Sequence, residues 1–209
     1  MSSEQRSVRI GEDERGGWSS DRPRRAGAPE REPDVSVRGR VLRPTDQLRY
    51  SPGSLLMIVS ASPAMRSRFA ERLIEQRGAL FSLDKVRELL AGRVAEEERD
   101  AKAVELLDAA VAKRLSSGET VVITAGVAPD QRERHVKVAA RFRRPRHLIL
   151  LEAPRDEVPE DDRAALNELR RRLDAGELGG EGFHSSLRLS AEAQSELKRL
   201  VFRPEPRDE

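Results

Sequence analysis

From position 55 onward, the sequence alternates short apolar runs with segments of helical periodicity, and this pattern restricts the chain to few folds. Short apolar runs are typical of buried strands, and apolar residues that recur at helical spacing are typical of amphipathic helices. Strands that alternate with helices indicate an α/β fold, in which right-handed crossovers build three layers around a mainly parallel sheet. Four or five strands are predicted, at 55–59 (LLMIV), near 81, at 121–124 (VVIT), at 148–151 (LILL) and at 187–189.

Helices are predicted between these strands and after the last one. Gly118 lies just past the last periodic residue of the longest helix, which is the position of a C-terminal cap. Ligands of such sheets bind beyond the carboxyl ends of the strands, so the turns at those ends are the first place to look for chemistry. The helical stripes are Met65, Phe69 and Leu73; a segment from 81 to 92; Val104, Leu107, Val111 and Leu115; a segment at 129–142; Leu166, Leu169 and Leu173; and Ala193, Leu197 and Leu200.

Residues 1–49 are predicted to be a disordered or weakly structured tail, and residues 50–209 the α/β domain. The first part of this tail is too poor in apolar groups for burial to offset the entropy of ordering it. Its sizeable apolar side chains within 1–34 are Val8, Ile10 and Trp18. The tail is either a binding arm that acts through Arg22, Arg24 and Arg25, or a solvated leader with no task. An apolar alternation at 35–41 permits a short edge strand.

Composition excludes several classes of function. The chain has no cysteine, which removes disulfides and Cys-built zinc sites, and its three histidines lack ligand spacing, so no metal site is predicted. No apolar run approaches the roughly 18 residues of a membrane span. The N-terminus also lacks the apolar stretch of a signal peptide, so we expect a cytoplasmic protein with no membrane partner.

The turn after the first predicted strand reads SASPAMRS, at 60–67. On the P-loop pattern GxxxxGK(S/T), Ser60 and Met65 stand at the glycine positions, Arg66 stands at the lysine, and only Ser67 agrees. A simple helix start is the alternative, because Ser62 followed by Pro63 is a favourable N-cap and first-turn pair. The candidate nucleotide-binding residues of this degenerate P-loop are Ser60, Ser62, Ala64, Met65, Arg66 and Ser67.

The segments that follow this turn carry a family resemblance. They read FAERL at 69–73, FSLDKVRELLAG at 81–92, RLSSGETVVITAG at 114–126 and EGFHSSLRL at 181–189. In this order they resemble the polynucleotide-kinase-like branch of the P-loop kinases, which are phosphotransferases often described as AAA-type ATPase domains and are related to zeta toxins. The resemblance covers residues 54–190 and implies a three-layer P-loop NTPase-like sandwich with ATP and magnesium as cofactors.

The most specific element of the resemblance is SLDKVR, at 82–87. By this resemblance, Asp84 would be the general base toward an acceptor hydroxyl, and Arg87 would hold the substrate. An ordinary helix start remains open as the alternative, since Ser82 is a good cap and Asp84 lies near the positive end of the helix dipole. In that case Arg87 pairs with Glu88 or Glu71.

The phosphate-binding half departs from the family pattern. A P-loop binds phosphates because successive backbone N–H groups point inward and glycines permit close approach. Pro63 has no N–H, Met65 fills space that a glycine would leave open, and Arg66 replaces a compact ammonium with a broad planar fork. The strand end at 124–126 (TAG) lacks the family's magnesium-organising aspartate, and the segment 152–158 is shorter than the family's arginine-bearing lid.

These departures predict a P-loop-fold protein with an impaired nucleotide site, which acts by binding a nucleotide, a nucleic-acid end or a protein partner that docks on the tail. The alternative is an active ATP-dependent kinase in which Asp84 is the general base and arginines replace the lost groups. A third hypothesis is a structural partner of a larger complex. The arginines at 141–146 either contact phosphates or complement a helix terminus. The arginines at 170–172 either contact phosphates or lie on a solvated helix face.

Overall fold

The computed structural model describes residues 34–204 and contains a six-stranded sheet whose strand pairs are all parallel. A separate two-stranded parallel sheet lies outside it. The strands are β1 (Arg40–Val41), β2 (Gln47–Tyr50), β3 (Leu55–Val59), β4 (Leu80–Ser82), β5 (Val121–Ala125), β6 (Arg146–Leu151), β7 (Ser185–Leu189) and β8 (Arg199–Phe202). The large sheet has the order β1-β7-β6-β3-β5-β4, and β2 pairs with β8.

Helices cover both faces of the large sheet. They are α1 (Pro63–Leu73), α2 (Leu83–Leu90), α3 (Glu96–Ser116), α4 (Pro129–Arg141), α5 (Arg163–Asp174) and α6 (Ala191–Glu196). Apolar side chains of α3, α4 and α5 form one core cluster, and those of α1, α6 and the small sheet form the other. The central strand β3 sends Leu55, Met57 and Val59 into the first cluster and Leu56 and Ile58 into the second. All five side chains are fully buried, which explains the continuous apolar run of a strand covered on both faces.

The predicted α/β fold class with a mainly parallel sheet is confirmed, and the chain has a P-loop-like architecture. One predicted element is wrong at the C-terminal end. The last helix, α6, ends at Glu196, and Leu200 lies in β8 instead of on that helix. Leu200 is buried because β8 pairs with β2, where Leu200 stands opposite Leu48, a contact that helical spacing within the segment does not reveal.

Strand β1 and all but the last residue of β2 lie before residue 50, and both strands pair with strands near the C-terminal end of the chain. The segment before β1 is fixed by a close backbone approach, in which the Val37 N–H donates to the Gly179 carbonyl at 2.9 Å. A Cβ at Gly179 would lie 2.5 Å from the Val37 carbonyl oxygen, so only glycine permits this approach. Residues 1–33, which hold the candidate binding arm, lie outside the described residues.

Candidate functional site

The corner between β3 and α1 is a tight helix cap. Only residues 60–62 join the two elements, because α1 begins at Pro63 and the candidate residues Ala64, Met65, Arg66 and Ser67 are helical. Ser62 is the N-cap, with an extended backbone, and its Oγ accepts a hydrogen bond from the Met65 N–H at 3.3 Å. The Ser62-Pro63 pair explains this early start, since serine caps a helix and proline is pre-formed for its first turn.

Arg66 folds back across this corner. Its guanidinium donates to the Ser60 carbonyl at 3.0 Å and to the Asp84 carboxylate at 2.8 Å. The residue is only 8% exposed, so its charge is used inside the protein. Within residues 34–204, the Arg66 Nε has no hydrogen-bond partner.

The remaining polar groups of the turn contact one another and the neighbouring strand. The Ser60 N–H donates to the Ala125 carbonyl at 3.2 Å, which ties the turn to the neighbouring strand. The Ser60 Oγ accepts from the Ser62 N–H at 3.2 Å and lies 3.8 Å from the Met65 sulfur. Ala64 is exposed on the first turn of α1, and Ser67 is half-buried.

The candidate catalytic pair, Asp84 and Arg87, lies beside this corner. Ser82 caps α2 by accepting from the Lys85 N–H, which places Asp84 in the first helical turn. One Asp84 oxygen accepts from Arg66, and the other accepts from Arg87 at 3.3 Å. Arg87 also donates to Asp100 of α3 at 2.8 Å. The structure therefore brings Arg66, Asp84 and Arg87 together, and both oxygens of the candidate base already accept hydrogen bonds.

Arg87 does not pair with either of the partners that helical spacing suggested. Its carboxylate contacts are Asp84 and Asp100. Glu71 instead pairs with Lys85 at 2.7 Å, which holds α1 and α2 together.

The segment that replaces the family's lid packs over the same corner. It contains two single turns of 3₁₀ helix, Arg155–Glu157 and Glu160–Asp162, with Val158 buried between them. The Ser62 hydroxyl donates to the Glu157 carboxylate at 2.7 Å. A carboxylate next to the N-terminal end of α1 is electrostatically favourable, because that end carries partial positive charge. Glu157 was not among the predicted site residues, because no local pattern indicates a contact with a residue 95 positions away.

Glu152, at the carboxyl end of β6, is the centre of an ion-pair network that sequence analysis also missed. It accepts from Arg170 of α5 and from Arg188 of β7, and Arg188 in turn pairs with Asp174 at 2.9 Å. Burial by itself raises the pKa of Glu152, but the hydrogen bonds and charges of Arg170 and Arg188 outweigh it and lower the pKa below its usual value. These arginines therefore serve a structural network.

Several arginines of the other predicted clusters also have internal partners. Arg171 pairs with Glu168 and Glu177, and Arg172 pairs with Glu181. In the cluster before β6, the Arg144 Nε donates to the Leu115 carbonyl near the end of α3 at 2.9 Å. The Arg146 Nε donates to the Gly182 carbonyl. The Arg144 contact satisfies a carbonyl at a helix end, which is one of the two roles predicted for this cluster. The Arg146 contact fixes a loop.

The end of β5, where the family has its magnesium-organising residue, is formed by Thr124 and Ala125. Thr124 is buried, and its hydroxyl donates to the Phe81 carbonyl at 3.5 Å. Within the described range 34–204, no group of three or more histidine, cysteine, aspartate or glutamate side chains lies close enough together to hold a metal ion. In the same range, no helix is long and apolar enough to cross a membrane.

Comparison with known proteins finds two similar solved structures and a matching family model. Similar solved structures include a candidate kinase from Chloroflexus aurantiacus, 18% identical, which covers 66% of this chain and 86% of its own with a TM-score of 0.45. Another is the Deinococcus radiodurans tunicamycin resistance protein, 16% identical, covering 68% of this chain and 90% of its own with a TM-score of 0.37. No curated protein matches the chain. A family model described as an AAA domain matches residues 61–175. Because this match spans more than half of the sequence, the chain belongs to that AAA domain family.

Proposed function

We propose that this protein is a binding module built on the P-loop kinase fold, with a nucleotide site too impaired to transfer phosphate, and that it acts in the cytoplasm. The observation that carries the proposal is the Arg66 guanidinium, which bridges the Ser60 carbonyl and the Asp84 carboxylate across the corner. At this position the family uses a lysine whose charge is directed at the phosphates of the nucleotide. Arg66 is committed to the protein itself.

The backbone donors of the corner support the same conclusion. A phosphate cradle needs several N–H groups that are free to point at the ligand. Pro63 has none, the Met65 N–H donates to the Ser62 hydroxyl, and the Arg66 N–H donates to the Ser62 carbonyl at 3.2 Å. The early start of α1 has thus converted loop donors into helix and cap donors, and the corner does not fit a triphosphate.

The candidate general base and the position of the magnesium ion in the family also support an impaired site. A general base needs an oxygen lone pair that is open to the proton it removes and within hydrogen-bond reach of it. Asp84 has both oxygens in ion pairs with Arg66 and Arg87. At the end of β5, Thr124 and Ala125 offer no carboxylate for magnesium, which prefers carboxylate and phosphate oxygens. The residues present therefore do not fit the cofactors that the family resemblance implies.

Isothermal titration of the purified chain with ATP and magnesium tests the impaired site. We expect no resolvable heat of binding and no transfer of the γ-phosphate to nucleosides, oligonucleotide ends or small alcohols. Micromolar affinity with turnover that Asp84→Asn abolishes would instead support the active-kinase alternative. Asp100→Asn is the matched control, because it also removes a carboxylate partner of Arg87 but lies outside the corner.

The partner class of the binding module is the open part of the proposal. A nucleotide, a nucleic-acid end and a protein are the three candidates from the sequence. Deletion of residues 1–34 separates the tail from the body, since partner binding that is lost on deletion belongs to the tail. Partner binding that persists in the deleted chain belongs to the α/β domain.

A further inference from the structure

A polar cleft lies beside β8, the strand of the small sheet that follows α6. Every residue from Arg199 to Arg203 lines it, so side chains of both faces of the strand border the same space and the cleft runs along the strand's edge. Other parts of the lining come from Ile74, just after α1, and from Gly53 and Thr120, near the amino ends of β3 and β5. With a volume of about 780 Å³, the cleft has the size typical of ligand sites.

The edge of β8 that faces away from β2 carries backbone groups without a strand partner. The Arg203 N–H donates to the Tyr50 carbonyl of β2 at 3.0 Å. Alternate residues of a strand direct their N–H and C=O groups to opposite sides, so Leu200 and Phe202 direct theirs away from β2. Within residues 34–204, β8 pairs with β2 alone. This β8 edge therefore offers two N–H and two C=O groups to a further strand.

The two faces of β8 differ in chemistry. On one face, Leu200 is buried, and the half-buried Phe202 packs against Tyr50 with ring centroids 6.0 Å apart. On the other, the arginine face, Arg199 and Arg203 are exposed, and in the chain from 34 to 204 their side chains form no hydrogen bond or ion pair. A strand added at the β8 edge continues both faces, so its side chains alternate between an apolar face and a cationic one.

The charges of the cleft favour an acidic occupant. Arg49 of β2 stands opposite Val201 on the arginine face, midway between Arg199 and Arg203. Every second residue of a strand lies on the same face, about 6.6 Å from the next, so acidic side chains at alternate positions match this row. Arginine binds carboxylates well because its planar fork donates two hydrogen bonds at once. The charged residues of the lining are four arginines and two glutamates: Arg49, Arg114, Arg199, Arg203, Glu75 and Glu119.

The backbone groups of the β8 edge decide between classes of occupant. A nucleic acid has no alternating N–H and C=O groups with which to extend a β ladder, whereas an extended peptide has both. A second copy of β8 would place its own arginines beside Arg199 and Arg203, and like charges on neighbouring strands repel. An acidic peptide satisfies both the ladder and the charges.

We infer that the β8 edge binds an extended segment of a partner protein in which acidic residues alternate with apolar ones. The segment adds a strand beside β8. Its carboxylates pair with Arg199, Arg49 and Arg203, and its apolar side chains pack beside Leu200 and Phe202. The inference rests on the proposed function, because it gives the binding module a partner class and a place of binding. That place is near the amino ends of β3 and β5, away from the corner between β3 and α1.

Fluorescence anisotropy of the full chain with a labelled octapeptide of alternating glutamate and valine tests the inference. We expect saturable binding that the double variant Arg199→Ser with Arg203→Ser weakens about tenfold at low salt. The control, Arg93→Ser with Arg141→Ser, removes the same charge from exposed positions outside the cleft and should bind as the native chain does. The same peptide with glutamine in place of glutamate should bind the native chain about tenfold more weakly. Absence of saturable binding, or equal binding by the cleft variant and the control, would overturn the inference.

N-methylation of the peptide tests the ladder separately from the charges. In an extended peptide the N–H groups of the glutamates all point to one side and those of the valines to the other, so only one set faces β8. Methylation of the two central residues of that set should weaken binding about tenfold, and methylation of the other set should leave it within about twofold. Loss on the glutamates supports a parallel added strand, and loss on the valines an antiparallel one. Equal effects of the two sets would show that no strand is added.

The other two occupants are outcomes of the same measurement. Displacement of the peptide by an equal concentration of oligothymidylate would assign the arginines to nucleic acid and overturn the inference. Sedimentation velocity should show the same monomeric chain with and without peptide. A dimer that the peptide dissociates would instead place a second copy of the chain at the β8 edge.

Failure of this inference is distinguishable from failure of the proposed function. If neither the peptide nor ATP with magnesium binds, the β8 edge is not a peptide site, and the impaired-site proposal stands. If the chain binds ATP with magnesium tightly and turns it over, the impaired-site proposal is wrong, and the peptide titration still decides the role of the β8 edge.

Discussion

The carboxyl ends of the large sheet and the small sheet differ in how their charged side chains are paired. At the carboxyl ends of the large sheet's strands, Arg66 is paired with Asp84, and Glu152 is paired with Arg170 and Arg188. In the small sheet, Arg199 of β8 and Arg203, which follows β8, have no partner within the described part of the chain. The end where this fold usually binds its ligand is thus neutralised internally, and the small sheet retains unpaired charge.

This difference matters because a charge acts either on its own protein or on a ligand. A half-buried ion pair stabilises the fold only while both partners remain, since removing one leaves the other desolvated and unpaired. An exposed arginine without a partner contributes little to folding and remains available to an anion. The same kind of substitution should therefore affect stability strongly at the carboxyl ends of the large sheet and weakly at the unpaired arginines of the small sheet, and this contrast can be measured.

The largest effect is expected for Glu152→Ala. This change removes the common acceptor of Arg170 and Arg188 and leaves two guanidinium groups unpaired next to β6. The Glu152 side chain is only 17% exposed, so we expect the free energy of unfolding to fall by about 3 kcal/mol. Urea denaturation followed by circular dichroism measures it. Glu105→Ala removes an exposed helical ion pair and should cost about 0.5 kcal/mol or less; a similar loss in both variants would contradict the structural role of Glu152.

Acid should abolish the difference in the free energy of unfolding between the native chain and Glu152→Gln. The folded-state pKa of Glu152 lies below its ordinary value of 4.5, so the carboxylate stabilises the fold at pH values above 4.5. As the pH falls through the lowered folded-state pKa, the carboxylate is protonated and this stabilisation is lost. The difference in the free energy of unfolding between the two proteins should therefore be large at neutral pH and smaller below pH 4.5. A difference that stays constant with pH would show that the charge of Glu152 is unimportant.

The next effect is expected for Arg66→Ala at the corner. The variant loses hydrogen bonds to the Ser60 carbonyl and to Asp84, and it exposes a cavity where the alkyl chain was buried. We expect a loss of about 2 kcal/mol, the size of one hydrogen bond that involves a charged group, because the bond to Ser60 is buried whereas Asp84 is partly exposed and keeps Arg87. Arg68→Ala, at an exposed site on the same helix, is the control and should cost about 0.5 kcal/mol or less. No difference between the two variants would mean that Arg66 is not committed to the corner.

A smaller effect is expected for His147, beneath the small sheet. Its ring lies 4.5 Å from that of Tyr50, and burial, with the charges of His184, Arg40 and Arg146, lowers its pKa from 6.5 to about 4. Between these values the unfolded chain binds a proton that the folded chain does not, so stability falls as the pH falls below 6.5. Relative to His147→Phe, the native chain should lose about 1 kcal/mol more between about pH 6.5 and 5.5. Parallel pH profiles for the two proteins would contradict this burial.

The sequence predicted the large sheet well because its signals are local. The run LLMIV of β3 and the pair Ser62-Pro63 each indicate their structure without any distant partner. The same reasoning misplaced Leu200, because its spacing of three residues from Leu197 matches one face of a helix, although the residue lies in a strand. Only the pairing of β8 with β2 distinguishes the two.

The site was predicted less completely because its contacts are not local. Arg66 and Asp84 are 18 positions apart, and Glu152 and Arg188 are 36 positions apart. In a sequence with 39 basic and 37 acidic residues, almost every charge has many candidate partners. The sequence could show that the P-loop residues are altered, but the partner that neutralises Arg66 is visible only once α1 and α2 are placed side by side.

The smallest effect is expected in the small sheet, where Arg199→Ala and Arg203→Ala should each change the free energy of unfolding by no more than about 0.5 kcal/mol. Neither side chain has a partner within residues 34–204, so truncation removes no hydrogen bond and uncovers no buried group. Urea denaturation of both variants beside Arg66→Ala measures the contrast directly. A loss near 2 kcal/mol at either position would mean that the arginine already stabilises the fold. The small sheet and the carboxyl ends of the large sheet would then no longer differ in the way that the paired and unpaired charges indicate.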